Sequence, residues 1–352
     1  MRRLPGDRTR AMTNNVDAVF TRNLALNERE THERRLVLGS RPVALGLIIT
    51  NWCNLRCIMC PSQRHTATQT LPPEALAGVP ELFPCLARLD WQGGEFFQLR
   101  YVQELFARAR AYPRIRHYFT TNALLLDDSW LELFPGAQVS LQVSVDSPRR
   151  EVYEHIRRGA DYEQLLARLR RIQEVEVRHG RRIERDLHVV VLRSNHRHLD
   201  EFPAFARRYG FRAVTFSPVY FCDSEENIYK DASGELKSEL ERMRLELERL
   251  GRREGVDILW GASPDDGPRP GEPGPGAAGP ACLLPWKSLW IDAIKEGAIL
   301  PDCWCDHPVG TAAEGLLAAW NGERMQDYRR RLAAGDAALC GKCAARRLYP
   351  AL

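Results

Sequence analysis

Missing from this sequence is any apolar run approaching the length of a membrane span, and Met1-Arg2-Arg3 leads into no hydrophobic stretch of secretory-signal length. The expectation is a cytoplasmic protein with no membrane partner. Charge of one sign is not concentrated anywhere either: 50 Lys and Arg stand against 46 Asp and Glu, mixed along the chain, for a net charge of +4. A nucleic-acid binder would carry a basic stripe or face, so no nucleic-acid partner is expected. Without a secretory signal, no disulfide framework is expected in a chain of 352 residues, and its ten cysteines read as metal-ligating or catalytic groups. That length accommodates one large domain and a smaller one.

What is present is a cysteine triplet, Cys53, Cys57 and Cys60, within Asn51-Trp52-Cys53-Asn54-Leu55-Arg56-Cys57-Ile58-Met59-Cys60-Pro61. The C-x3-C-x2-C spacing follows an apolar, strand-like stretch, Val43 to Thr50. At this cysteine frequency chance would give roughly 0.01 such triplets. Three thiolates on one tight loop can hold three irons of a cubane cluster and leave the fourth iron open. A zinc site would need a fourth ligand, usually from a second C-x2-C pair or a histidine, and only His65 stands nearby.

After residues 1–41, which are polar with a short helical pattern around Asp17 to Leu38, strand and helix patterns alternate. Strands are predicted at Val43–Thr50, Arg88–Gln92, Ile115–Thr121, Gln138–Val145, Leu187–Leu192 and Ala213–Val219. Helical patterns fall at Gln98–Ala111, Asp128–Leu133, Arg149–Arg157, Tyr162–Val177, Leu199–Tyr209 and Gly234–Arg252. Such alternation predicts an α/β fold, a parallel sheet wrapped by helices. Ligands then bind at the C-terminal ends of the strands. The Pro- and Gly-rich stretch within 261–281 reads as a linker. We therefore expect an N-terminal extension (1–41), a barrel domain (42–260), the linker, and a small C-terminal domain (282–352).

At the triplet the chain resembles the radical S-adenosylmethionine (SAM) enzymes. The resemblance implies a partial (β/α)6 barrel, a [4Fe–4S] cluster on Cys53, Cys57 and Cys60, and SAM chelated at the open iron. It also implies reductive cleavage of SAM to a 5′-deoxyadenosyl radical that takes a hydrogen atom from an unactivated C–H bond. Further motifs fall at successive strand ends. Gly93-Gly94-Glu95 resembles the family's Gly-Gly-Glu, which contacts the SAM amino group. Asn122 in Thr120-Thr121-Asn122 matches Thr-Asn-Gly, with Ala123 in place of the glycine. Ser144-Val145-Asp146 matches Ser-x-Asp, expected near the ribose or the SAM carboxylate. Arg157, or its neighbour Arg158, suits that carboxylate by bidentate recognition. Asn195 falls at a further polar SAM contact. His188, His196 and His198 read as surface residues.

Cysteines return in Cys282, in Pro301-Asp302-Cys303-Trp304-Cys305, and in Cys340-Gly341-Lys342-Cys343. The arrangement resembles the twitch and SPASM extensions of radical SAM proteins, implying a second [4Fe–4S] cluster on Cys282, Cys303, Cys340 and Cys343. The family spacing puts a cysteine at Asp302, so Cys303 takes its place and Cys305 is the other possibility. A structural zinc on four cysteines is the competing reading.

The whole pattern looks most like the radical SAM dehydrogenases and epimerases of aminocyclitol antibiotics such as spectinomycin and hygromycin. That implies a small amino-sugar or aminocyclitol substrate and a flavodoxin- or ferredoxin-type electron donor. In a dehydrogenase Asp302 is the candidate base that takes the hydroxyl proton. In an epimerase Cys222 is the candidate hydrogen donor. Modification of a ribosomal peptide is a further reading, and a non-catalytic electron carrier the last. Glu95, Asn122, Ser144 and Asp146 argue against the carrier, which needs no SAM pocket.

Overall fold

A computed structural model describes residues 5–61, 65, 67–219, 225–230, 234–261, 282–336 and 339, with side chains from residue 17 onward. Its strands form where buried residues alternate with half-buried ones. On β5 (Glu184–Val191) Arg185, Leu187, Val189 and Val191 are buried, while Asp186, His188 and Val190 are half-buried. This is the two-residue period of a pleated strand. Against such a face packs α5 (Tyr162–His179), which buries Leu165, Leu169, Ile172 and Val175 at helical spacing. Its first turn is capped by Asp161, whose carboxylate accepts from Gln164 N at 3.0 Å.

The other barrel strands are β1 (Ala44–Ile48), β2 (Arg88–Gln92), β3 (Arg116–Thr121), β4 (Gln138–Ser144), β6 (Ala213–Pro218) and β7 (Asp257–Trp260). β1 to β7 lie side by side in chain order, all parallel. Crossovers of one hand place the connecting helices on one face of such a sheet. Those helices are α2 (Arg100–Ala109), α3 (Asp128–Leu131), α4 (Arg150–Ile156), α5, α6 (Phe202–Arg208) and α7 (Gly234–Glu254). The opposite face lines a lumen. The six predicted strands are all observed. β7 escaped the sequence reading because four residues with an alternating, half-exposed pattern give too little signal.

The C-terminal segment does not stand apart from this sheet. β8 (Ser288–Asp292) runs parallel to β1 in the register Ala44↔Ser288 to Ile48↔Asp292. β9 (Ala298–Leu300) and β10 (Gly310–Thr311) extend it antiparallel. The order β10-β9-β8-β1-β2-β3-β4-β5-β6-β7 leaves the barrel open. Gly46 permits the β1–β8 junction: a Cβ there would fall 2.1 Å from the Trp290 indole.

The N-terminal extension is likewise sewn onto the C-terminal segment. From α1 (Pro5–His32), Asn27 Nδ2 donates to Trp286 O at 2.7 Å, and the Glu30 carboxylate accepts from Gly39 N and Ser40 N. Two short helices, α8 (Leu316–Trp320) and α9 (Glu323–Ala333), close this side. Arg329 of α9 donates to Pro285 O and Leu36 O and lies over the Trp320 ring at 4.5 Å. Burial pulls its guanidinium down to about 9. Among the described residues no helix is long and apolar enough to cross a membrane.

Candidate active site

The cysteine loop leaves the C-terminal end of β1 and is held at both flanks. Thr50 Oγ1 accepts from Trp52 N at 3.0 Å and meets Thr70 Oγ1 at 2.7 Å. Arg56 N donates to Arg158 O at 2.8 Å and Ile58 N to Ile156 O at 3.0 Å, tying the loop to the end of α4. Leu55 plugs into the core between them. Burial raises the Cys53 thiol and pushes Cys57 up to about 11, and Cys57 also senses the charges of Cys53 and Cys60. A bound metal reverses that, since a coordinating thiol is deprotonated outright.

Gly93 and Gly94 bring the next motif against this loop. Gly93 has φ +131°, and a Cβ on Gly94 would sit 1.8 Å from Trp52 O. Gly94 N donates to Thr50 O at 2.5 Å and Glu95 N to Trp52 O at 2.7 Å. The glycines thus approach the backbone leading into Cys53. Behind them Trp91 stacks on Phe119 at 5.5 Å, fixing the ends of β2 and β3 together.

Glu95 is fully buried. Its carboxylate accepts from Thr121 Oγ1 at 2.9 Å and Asn122 N at 2.9 Å, and burial raises it to about 7. Asn122 in turn donates from Nδ2 to Asn54 Oδ1 at 2.9 Å and toward Cys53 Sγ at 3.7 Å. Ala123, where the family pattern has glycine, lies in the left-handed region at φ +66°.

A second group gathers at Cys57. Arg157 Nη1 points at its sulfur from 3.9 Å, and Arg157 Nη2 lies 2.8 Å from Asp146 Oδ2. Asp146 Oδ1 accepts from Val190 N at 2.8 Å. Between the two arginines considered in the sequence, Arg157 is buried and Arg158 exposed. Arg157 Nε and Tyr153 Oη are buried without a hydrogen-bond partner. Asn195 is committed to backbone groups, donating to Asp146 O and Val190 O and accepting from Leu192 N, each at 2.8 Å. It thereby shapes the ends of β4 and β5.

Ser144 ends β4 half-buried on the lumen side, in register with His188, which pairs onward with Thr215. Against the surface reading, the His188 ring lies within the barrel, its Nε2 3.0 Å from Ser217 Oγ. Burial lowers its pKa, with Asp146 and Arg157 close enough to act on it. His196 is buried as well.

Cys303 and Asp302 follow β9. Asp302 is buried, accepts from Trp304 N at 3.1 Å, and is raised by burial. The Cys303 thiol is pushed far up by burial and by the Asp302 charge beside it. Both sense Asp90 in mid-β2, which Arg88 clamps with two contacts of 2.7 Å. Cys305 accepts from the Tyr328 hydroxyl of α9 at 3.6 Å and lies close enough to act on Cys303. Cys282 is half-buried; Cys222, Cys340 and Cys343 lie outside the described residues.

The three-thiol loop fits an iron–sulfur cluster with a polar ligand. Among the described residues no three His, Cys, Asp or Glu converge on a single metal ion, whereas a cubane spreads its thiolates over separate irons. Donors from Leu55 N and Asn122 face Cys53, and Arg157 faces Cys57. The unpartnered Arg157 Nε and Tyr153 Oη beside them call for a polar group. Asn54 and His188 were not singled out by motif; only the structure gathers them here with Tyr153.

Residues 47–206 match the family described as the radical SAM superfamily. GTP 3′,8-cyclase of Clostridium botulinum is 22% identical over 205 residues, 53% of this chain and 59% of the cyclase. Molybdenum cofactor biosynthesis protein 1 of Drosophila melanogaster is 27% identical over 136 residues, 37% of this chain and 24% of that protein. The chain thus spans well under two thirds of these relatives' length. Among solved structures, Streptococcus suis SuiB bound to S-adenosylmethionine superposes with TM-score 0.62 at 14% identity, covering 84% of this chain and 69% of SuiB. Native anSMEcpe with bound AdoMet gives 0.56 at 15% identity, covering 87% and 88%. At such identities the likeness is one of fold, the partial barrel expected from the sequence.

Proposed function

We propose that this chain is a radical SAM dehydrogenase that oxidises a secondary alcohol of an aminocyclitol or amino-sugar natural product to a ketone. The observation that carries the reading is the placement of a carboxyl group, Asp302, beside Cys303 and next to the Arg88–Asp90 pair, on the barrel whose strand ends carry the three-thiol loop. When bound, a [4Fe–4S] cluster with SAM supplies a 5′-deoxyadenosyl radical for hydrogen abstraction, and an auxiliary cluster supplies a one-electron acceptor. Cys53, Cys57 and Cys60 would hold the first, and Cys282, Cys303, Cys340 and Cys343 would hold the second. Gly93 and Gly94 set Glu95 beside the loop for the SAM ammonium group. Asn122 orients the loop at Cys53. Arg157 offers its unpartnered Nε to the SAM carboxylate, with Asp146 and Ser144 toward the ribose. Asp302 would take the proton of a substrate hydroxyl bound beside it. A flavodoxin- or ferredoxin-type protein supplies the reducing electron.

The test is anaerobic turnover of reconstituted enzyme with SAM, reductant and a panel of aminocyclitol glycosides in deuterated water, read by mass spectrometry. A product lighter by two hydrogens supports the reading. A product that only gains one deuterium makes the enzyme an epimerase and directs attention to Cys222. Formation of 5′-deoxyadenosine without any product removes the substrate class, and peptides follow.

A further inference from the structure

Where the lumen opens toward the cysteine loop, its wall is polar but uncharged. Strand alternation puts Thr120, Gln142, Ser144 and His188 on that face, with Ser217 behind the histidine. Gln142 is exposed in mid-β4, although β4 is flanked on both sides by other strands, so the lumen there is open rather than filled. The nearest charges, Asp146 and Arg157, neutralise each other at 2.8 Å. Deeper in the lumen, acids are matched by donors: Asp90 by Arg88, Asp186 by Arg212 and Glu184 by Ser140.

His188 stands out in this wall. It is the register partner of Ser144, close to the Asp146–Arg157 pair. Its Nε2 is anchored on Ser217 Oγ at 3.0 Å, while its Nδ1 has no hydrogen-bond partner among the described residues. We propose that His188 is a substrate-binding residue whose Nδ1 receives a hydroxyl of a hydroxyl-rich small molecule lying in the lumen. The inference rests on the substrate class proposed above and adds the contact that recognises it.

The chemistry selects a hydroxyl over other groups. Burial keeps the imidazole neutral, so one ring nitrogen carries a proton and the other accepts. Ser217 can donate to or accept from Nε2, and Nδ1 is then a donor or an acceptor to match. A hydroxyl satisfies either tautomer. An ammonium satisfies only one, a carboxylate only the other, and an apolar peptide side chain neither. Asp302 feels the charges of Arg88 and Asp90 on β2, which lies three strands from the β5 of His188 along the sheet.

Two substitutions separate the ring nitrogens. His188→Asn keeps a polar atom near Nδ1 but cannot reach Ser217; His188→Gln reaches Ser217 but lacks a group at Nδ1. Binding of neamine and of 2-deoxystreptamine to the cluster-loaded full chain is measured by calorimetry, with SAM binding as a control on the fold. The expected result is a loss of about tenfold or more in probe affinity for His188→Gln. His188→Asn is expected to stay within about threefold of the unsubstituted protein. SAM affinity is expected to hold in both. Unchanged probe binding by His188→Gln overturns the inference while leaving the substrate class standing. A fall in SAM binding parallel to probe binding makes His188 merely structural and also overturns it. If the unsubstituted protein binds neither probe, the substrate class fails and the inference fails with it.

Discussion

Arg157 and Asp146 form a buried ion pair at 2.8 Å, and the same guanidinium reaches the Cys57 sulfur at 3.9 Å. The end of β4, the end of α4 and the cysteine loop therefore share one charge network. Removing one member of a buried pair strands the other charge, at a cost of about 3–5 kcal/mol. Arg157→Gln should destabilise the cluster-free protein by that order in denaturant unfolding. Adding Asp146→Asn should recover part of the loss, since the stranded carboxylate is then gone. A double variant no more stable than Arg157→Gln would mean that the two groups do not act as a pair.

Gly94 admits no side chain, because a Cβ would lie 1.8 Å from Trp52 O, one residue from Cys53. Gly94→Ala must move backbone on one side or the other, costing about 3 kcal/mol or more. We expect the variant to retain its far-ultraviolet circular dichroism yet lose iron at the first cluster on reconstitution. Full iron loading would show that the loop tolerates displacement.

Glu95 gives a pH dependence of definite sign. Its carboxyl is raised by burial from 4.5 to about 7, so the folded chain holds a proton that the unfolded chain releases earlier. The associated stability is present below pH 4.5 and is lost as pH rises toward 7, by about 3 kcal/mol in all. Glu95→Gln should flatten stability against pH across that window in SAM-free protein. It should also weaken SAM binding, because an amide does not neutralise an ammonium. Unfolding curves at several pH values check the first effect, and equilibrium dialysis the second. A slope unchanged by the substitution would assign it to other groups.

Asp302→Asn separates proton transfer from radical formation. Loss of a positioned base costs about 10²-fold or more. Ketone formation should fall by that order while 5′-deoxyadenosine continues to form, so the ratio of the two products is the readout. An unchanged ratio would remove Asp302 as the base.

The framework was legible in the sequence because it rests on local signals. The spacing of Cys53, Cys57 and Cys60, the six alternating strands, and Gly-Gly-Glu after β2 all declare themselves over a few residues. The pairing of β8 with β1 was not legible, since it joins residues more than 240 positions apart and no short pattern encodes it. For the same reason the sequence does not show that β8 to β10, within the expected C-terminal domain (282–352), extend the barrel sheet. Arg157 was found with its neighbour Arg158, and only burial distinguishes them. His188 resembled a surface histidine because its lumen face exists only after the sheet has formed. Asn195 shows the converse: a polar residue at a strand end reads as a ligand contact, yet its amide pins backbone.

The most direct test of the central claim is electron paramagnetic resonance of the reduced, reconstituted chain titrated with SAM, beside the Cys57→Ala variant. The expected result is a cluster signal that SAM perturbs in the unsubstituted protein, with the SAM-responsive component absent from the variant. A spectrum indifferent to SAM, or an equal response from Cys57→Ala, would contradict the assignment of Cys53, Cys57 and Cys60 to the SAM-binding cluster.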